Sequence, residues 1–141
     1  MNKIGIMQGR LSPPENNRLQ FFPTDWSAEF SLAKNLGFDY IEWFLDRKHT
    51  NFNPINDIWA KKSVLNEVDK ARQILPISSV DCGTYLFFSN QSIETIKDFN
   101  ILLPALVDRL DTNAISIPLL EDQAPKTKAQ KQEVYDNIKQ I

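Results

Sequence analysis

Four short apolar runs, Ile4 to Met7, Tyr40 to Phe44, Ile77 to Cys82 and Ala114 to Leu119, are each followed by a stretch with helical periodicity. That alternation constrains the fold more than any other feature of the chain. A strand can return in the same direction only through a crossover connection, usually a helix, which covers one face of the sheet. The predicted fold class is α/β with a parallel sheet, its strands mostly apolar because helices cover them.

The period changes along the chain give the elements. The first strand runs Lys3 to Met7 and ends in Gln8-Gly9-Arg10, followed by a long polar loop with Pro13 and Pro14. The first helix places Trp26, Phe30, Ala33 and Leu36 on one face, with Gly37 as its left-handed terminator. The second strand is Tyr40 to Phe44. A second helix begins near Ser63, carries Val64, Val68, Ala71 and Leu75 on one side, and is stopped by Pro76. The third strand is Ile77 to Asp81 or Cys82, and Tyr85, Phe87 and Phe88 after it read as an apolar wall or lid. The third helix carries Ile96, Phe99, Leu103, Leu106 and Leu110, with a kink or break expected at Pro104. The fourth strand is Ala114 to Pro118. Thr127-Lys128-Ala129-Gln130 is a capping-box pattern opening a fourth helix that carries Val134, Ile138 and Ile141.

Two architectures accommodate four such units, an open doubly wound sheet and a segment of a closed (β/α) barrel. The open sheet advertises a glycine-rich phosphate turn after its first strand. Gly9 is the only glycine there, so neither a dinucleotide fingerprint nor a P-loop is present. The barrel is preferred. A closed eight-stranded barrel takes about 250 residues, so 141 residues with four units are expected to form a half barrel, residues 1–141 being the N-terminal half. The apolar stripe still runs at Ile141, and a truncated chain is the expectation. Such a piece has two unpaired edges, at its first and fourth strands, and an inner face expected to be apolar. A symmetric dimer of half barrels would close the ring.

Composition removes several classes of function. A net charge of -2, with lysines scattered through the helices, provides no basic field for a phosphate backbone, so nucleic acid is not the expected partner. No apolar run approaches the roughly 20 residues of a membrane helix, and the N-terminus lacks a signal-peptide succession. The single cysteine, Cys82, cannot form an internal disulfide, in keeping with a reducing cytosol.

Residues with chemical content cluster at the predicted strand ends, where a barrel keeps its working groups. Arg10 could clamp a phosphate or carboxylate through two parallel hydrogen bonds, or pair with a neighbouring acid. Gln8 could offer its amide to a sugar hydroxyl or bond the adjacent strand. Glu42 is an acid within an otherwise apolar strand, a costly placement unless it is paired or faces the barrel mouth; it is a substrate-binding and catalytic candidate, the alternative being an ion pair with Arg10. Trp43 and Phe44 read as core beneath the helices. Asp81 ends the third strand and is a substrate-binding candidate; Cys82 reads as packing, with no neighbouring base to activate it. Glu121 and Asp122 follow the fourth strand, and Glu121 is a further binding candidate. His49, the only histidine, lies in a polar loop with no second ligand at metal spacing and reads as solvated or loop-packed.

Several strings carry a family likeness. IGIMQGRLSPP, then QFFP with Trp26 and Glu29-Phe30 after it, GFDYIEWF, ISSVDCGTYLFF and ISIPLLED together resemble the xylose isomerase-like barrels, and within them the sugar phosphate isomerase/epimerase group. The resemblance covers essentially the whole chain, and Met7 to Leu11 and Gly37 to Trp43 are its most specific parts. It implies a TIM-type (β/α)8 barrel with its active site at the C-terminal strand ends. There a divalent metal would assist proton transfer beside the carbonyl of a sugar or sugar phosphate. It further implies that the metal is held by carboxylates and a histidine from strands five to eight, so no metal ligand is carried over to this chain. The endonuclease-like branch draws on histidines of the first half, which are absent here. The expected function is thus the substrate-binding half of a metal-dependent isomerase or epimerase, with a noncatalytic half barrel that binds a partner half or a small polyol as the alternative.

Overall fold

The structure is a computed structural model, and it describes residues 2–14, 21–45, 53–55, 62–83, 88, 92–120 and 124–141. Among the described residues strands and helices alternate: β1 (Gly5–Met7), α1 (Ala28–Asn35), β2 (Tyr40–Phe44), α2 (Lys62–Ile74), β3 (Ile77–Asp81), α3 (Ser92–Leu110), β4 (Ile115–Ser116) and α4 (Lys128–Ile138). The strands form one parallel sheet in the order β1-β2-β3-β4. Sequential order without reversal excludes the doubly wound alternative, in which the strand order turns back on itself. Because parallel crossovers are right-handed, the described helices lie on one face of the sheet and leave the other free of helices. β1 and β4 are the edges, as the element pattern predicts.

The register sorts side chains between those two faces. Met7 pairs with Glu42, Glu42 with Ser79, Phe44 with Asp81, and Asp81 with Ser116, and neighbours in register share a face. On the alternate residues, Ile41, Trp43 and Val80 are fully buried beneath the helices. The helix-free face therefore carries Met7, Tyr40, Glu42, Phe44, Ser79, Asp81 and Ser116. That face is mixed rather than apolar, which corrects one expectation. Phe44 is core as expected, 1% exposed and part of the same cluster as Trp43, but it stands in register with Asp81 on the opposite side of the sheet, because successive strand residues alternate.

The helix side is an aromatic layer. Trp43 has no exposed surface, and its ring lies 5.2 Å from Phe22, 5.3 Å from Trp26 and 6.4 Å from Phe30. Its indole N–H donates to Asn53 Oδ1 at 3.3 Å; Asn53 also accepts from the Ile55 amide and donates to the Phe44 carbonyl, so one buried amide satisfies three groups beyond the end of β2. Val68, Ala71 and Leu75 extend the core as the second stripe predicts, and Phe99, Leu106 and Leu110 as the third does; the side chain of Val64 lies outside the described residues.

Element ends differ from the expected ones in instructive ways. β1 is Gly5–Met7 rather than Lys3 to Met7, and β4 is Ile115–Ser116 rather than Ala114 to Pro118. Both are edge strands, and a residue is held in a ladder only where a neighbour offers bonds. Leu36 is 60% exposed rather than buried. It is the C-cap residue: Gly37, at φ +86°, donates to Lys34 O, and Phe38 donates back to Ala33 O, the paired bonds of a Schellman turn. The helix has ended before Leu36 could continue its stripe. α3 runs unbroken through Pro104, which is exposed on its outer side, so the expected break does not occur. Thr127 and Gln130 form the reciprocal capping box that opens α4, with Val134 buried, while Ile138 and Ile141 stay partly exposed.

Candidate functional site

Of the sequence candidates, Gln8 and Arg10 follow the carboxyl end of β1, Asp81 ends β3, and Glu42 stands in the middle of β2. Gln8 follows β1 and is 2% exposed; its amide donates to Glu42 O at 3.0 Å, and its side-chain Oε1 accepts from the Phe44 amide at 3.4 Å. The side chain thus extends the β1–β2 ladder by one rung where the chain turns away. That is the structural role weighed for Gln8, and it uses only the oxygen. The amide nitrogen Nε2 is buried with no hydrogen-bond partner among the described residues, an unmet donor of the kind that calls for a ligand, water or strain to explain it.

Glu42 is half-buried on the helix-free face, and its Oε1 accepts from Ser79 Oγ at 2.8 Å. Asp81 lies one step further along on β3. Burial, reinforced by the negative charge of Glu42, pushes its carboxyl up from 3.8 to about 6, while the exposed Arg10 guanidinium pulls the other way. Cys82 is fully buried; that burial, with Asp81 and Glu42 beside it, holds the thiol firmly protonated and agrees with a packing role.

An aspartate whose carboxyl is raised to about 6, a second carboxylate acting on it, a guanidinium whose charge reaches it and a buried donor have the chemistry to hydrogen-bond a hydroxyl and to accept or release a proton. Glu121, Asp122, His49, Tyr85 and Phe87 lie outside the described residues. Phe88 is buried within the core cluster. Among the described residues no three His, Cys, Asp or Glu side chains gather as a metal site. Glu42 and Asp81 offer oxygen ligands but no imidazole, so a complete divalent centre does not fit these residues alone, and no chemical step is assigned through a metal.

The most consequential residue missed from sequence is Glu29. It is 3% exposed and receives the amides of Gly9, Leu11 and Ser12 and the hydroxyl of Ser12. The spacing that buries Trp26, Phe30 and Ala33 also places residue 29 on the inward side of α1, so an acid in that stripe was the available signal. Ser79, the partner of Glu42, gave none, since serine in a strand says little about its neighbour.

The titration of Asp81 has a measurable consequence. Its folded-state pKa lies above the unfolded one, so between about pH 4 and pH 6 the folded chain keeps a proton that the unfolded chain has released. Stability from this group is present at low pH, falls as pH rises through that window, and is flat above it. With the screening that an open mouth allows, the decline is expected to be about 1–2 kcal/mol. Asp81→Asn should remove that decline, which urea unfolding at pH 4 and pH 7 would read directly.

Four parallel strands in sequential order, with carboxylates at their C-terminal ends on the helix-free face, form half of a TIM-type barrel. In a comparison with solved structures, the chain matches the probable 3-DHS dehydratase AsbF from Bacillus anthracis, an enzyme involved in petrobactin synthesis, with a TM-score of 0.59 and 16% identity. The match covers 97% of this chain and 46% of that one, so the chain spans about half the length of its structural relative. At that identity the likeness is one of fold alone, a parallel α/β sheet that corresponds to about half of a TIM-type barrel. No family model and no curated protein matches the sequence.

Proposed function

We propose that this chain is the N-terminal half of a xylose isomerase-like (β/α)8 barrel and supplies the substrate-binding strand ends of a sugar or sugar-phosphate isomerase or epimerase of the cytosol. The observation that supports the reading is the register that sets Glu42, Ser79 and Asp81 together on the helix-free face, with the charge of Arg10 close enough to act on Asp81. In this reading Arg10 takes the substrate's phosphate or carboxylate, and the free N–H of Gln8 meets a hydroxyl. Asp81, with Glu42 beside it, holds or moves a proton next to the carbonyl. A divalent metal, if the family resemblance extends that far, would be held by residues other than those described and would polarise that carbonyl.

Titrating the chain with D-fructose 6-phosphate, while following the Gln8 side-chain amide and the Asp81 carboxyl by NMR, tests the reading. Changes confined to Gln8, Arg10, Glu42 and Asp81, lost in Arg10→Ala, are the expected result. Changes elsewhere alone, or none at millimolar sugar phosphate, would reject this mouth as a sugar-phosphate site.

A second reading has its own support. β1 and β4 are edge strands, and Ile4 just before β1 and Leu120 just after β4 are exposed. A half barrel that binds a partner half, or a second copy closing the ring, would cover them. Light scattering at a monomer's mass across the concentration range would rule out the second copy.

A further inference from the structure

Resting on the reading of the mouth given above, we infer that Glu29 is a positioning residue. Its carboxylate is the built-in occupant of an anion cradle formed by the backbone amides of the β1–α1 loop, and through that loop it holds Gln8 and Arg10 at the strand ends where Glu42 and Asp81 lie.

The geometry is that of a filled nest. Gly9, at φ +82°, donates its amide to Glu29 Oε2 at 2.7 Å; Leu11 and Ser12 donate theirs to Oε1 at 3.1 and 2.8 Å, and Ser12 Oγ donates to the same oxygen at 2.8 Å. Successive amides turned inward around a left-handed residue make a concavity suited to an anion, and in many folds a phosphate fills it. Here the chain's own carboxylate fills it. A buried carboxylate is costly unless hydrogen bonds replace its water, and four charge-assisted donors do so. Two consequences follow. The loop amides are already used, so a substrate anion falls to the Arg10 guanidinium rather than to the loop backbone. The loop is also tied to a rigid body, because Glu29 sits in the first turn of α1, whose Phe30 and Ala33 are fully buried against the sheet. The first turn suits a carboxylate, since the helix dipole is positive there.

The link between Glu29 and the mouth can be read at Asp81, whose titration senses Arg10 as well as Glu42. In the full chain, Glu29→Ala is expected to speed amide hydrogen exchange at Gly9 and Ser12 by roughly tenfold or more. It should also move the Asp81 midpoint upward, because Arg10 is no longer held nearby. Adding acetate to Glu29→Ala should refill the cradle, slowing exchange and returning the midpoint toward that of the parent. A Glu29 that served only overall stability would lower the melting temperature, leave the Asp81 titration in place and show no response to acetate, and that outcome would overturn the inference. If Glu29→Ala does not fold, Glu29→Gln takes its place. It keeps an oxygen for Leu11 and Ser12 but sets an amide against the Gly9 N–H, so exchange should quicken at Gly9 first; unchanged exchange at Gly9 would equally overturn the inference. Arg10→Ala separates this inference from the reading it rests on. Should Arg10→Ala leave the Asp81 midpoint unmoved, the mouth reading fails, while the exchange and acetate results still decide whether Glu29 holds the loop.

Discussion

Trp43→Ala is expected to lower the stability of the chain by about 4 kcal/mol, the largest loss from any single side chain in the described core. Three effects act together. The indole is fully buried and its removal leaves a cavity that the sheet backbone on one side and α1 on the other are too constrained to close. The ring is the hub of the aromatic layer, within 5.2 to 6.4 Å of Phe22, Trp26 and Phe30, so its three tilted contacts are lost along with the buried area. The indole N–H is also a partner of Asn53, which would keep its bonds to Ile55 and Phe44 but lose one of its ties to the core. Against a total of about 5–15 kcal/mol for a domain of ordinary size, such a loss leaves little margin, and a partly unfolded population at room temperature would follow. Trp43→Phe keeps most of the ring and gives up the hydrogen bond and some volume, and should cost about half as much. Urea unfolding followed by far-UV circular dichroism, with an unchanged slope, distinguishes the two. Equal midpoints for parent and Trp43→Ala would mean that the aromatic layer is not the core.

How much of this was legible before any coordinates follows from which signals are local. The strand-helix alternation, the burial of Trp43, Phe30 and Val68 and the capping box of α4 are all period or cap signals, and each survives in the structure. The in-out alternation of β2 is legible in principle, yet two adjacent aromatic residues, Trp43 and Phe44, both read as core beneath the helices. Only the parallel register with Asp81 separates them. The polar character of the helix-free face was missed for a related reason: Ser79 and Ser116 are weak signals alone, and become a polar strip only when the sheet sets them beside Glu42 and Asp81. The lengths of β1 and β4 depend on neighbours that the edge does not supply, which no local pattern reports. Glu29 was the hardest. Its bonds to the Gly9–Ser12 loop span 17 to 20 residues, and at helical spacing an acid near an N-terminus ordinarily reads as a favourable dipole interaction and nothing more.

Gly9→Ala is expected to cost about 3 kcal/mol, well above the cost of the same change at Gly37, and the contrast isolates its cause. Both glycines adopt left-handed backbone, at φ +82° and +86°, so both substitutions carry the usual strain of about 1 kcal/mol or somewhat more. A methyl group at Gly37 would meet nothing within 4 Å. At Gly9 it would run into the backbone carbonyl oxygen of Phe21, which no side-chain rotation can clear. The loop must move, and moving it stretches the 2.7 Å bond from the Gly9 amide to Glu29 and carries Gln8 and Arg10 with it. Stability and site geometry therefore change together at Gly9 and only stability changes at Gly37. Thermal unfolding of the two variants, paired with the Asp81 titration, reads both. Gly9→Ala should melt lower and raise the Asp81 midpoint above about 6, because the cation that lowers it has been displaced, whereas Gly37→Ala should leave that midpoint where it is. Equal losses in the two variants would mean that the loop yields freely at Phe21, and the rigid link from Glu29 to the barrel mouth would then have to be abandoned.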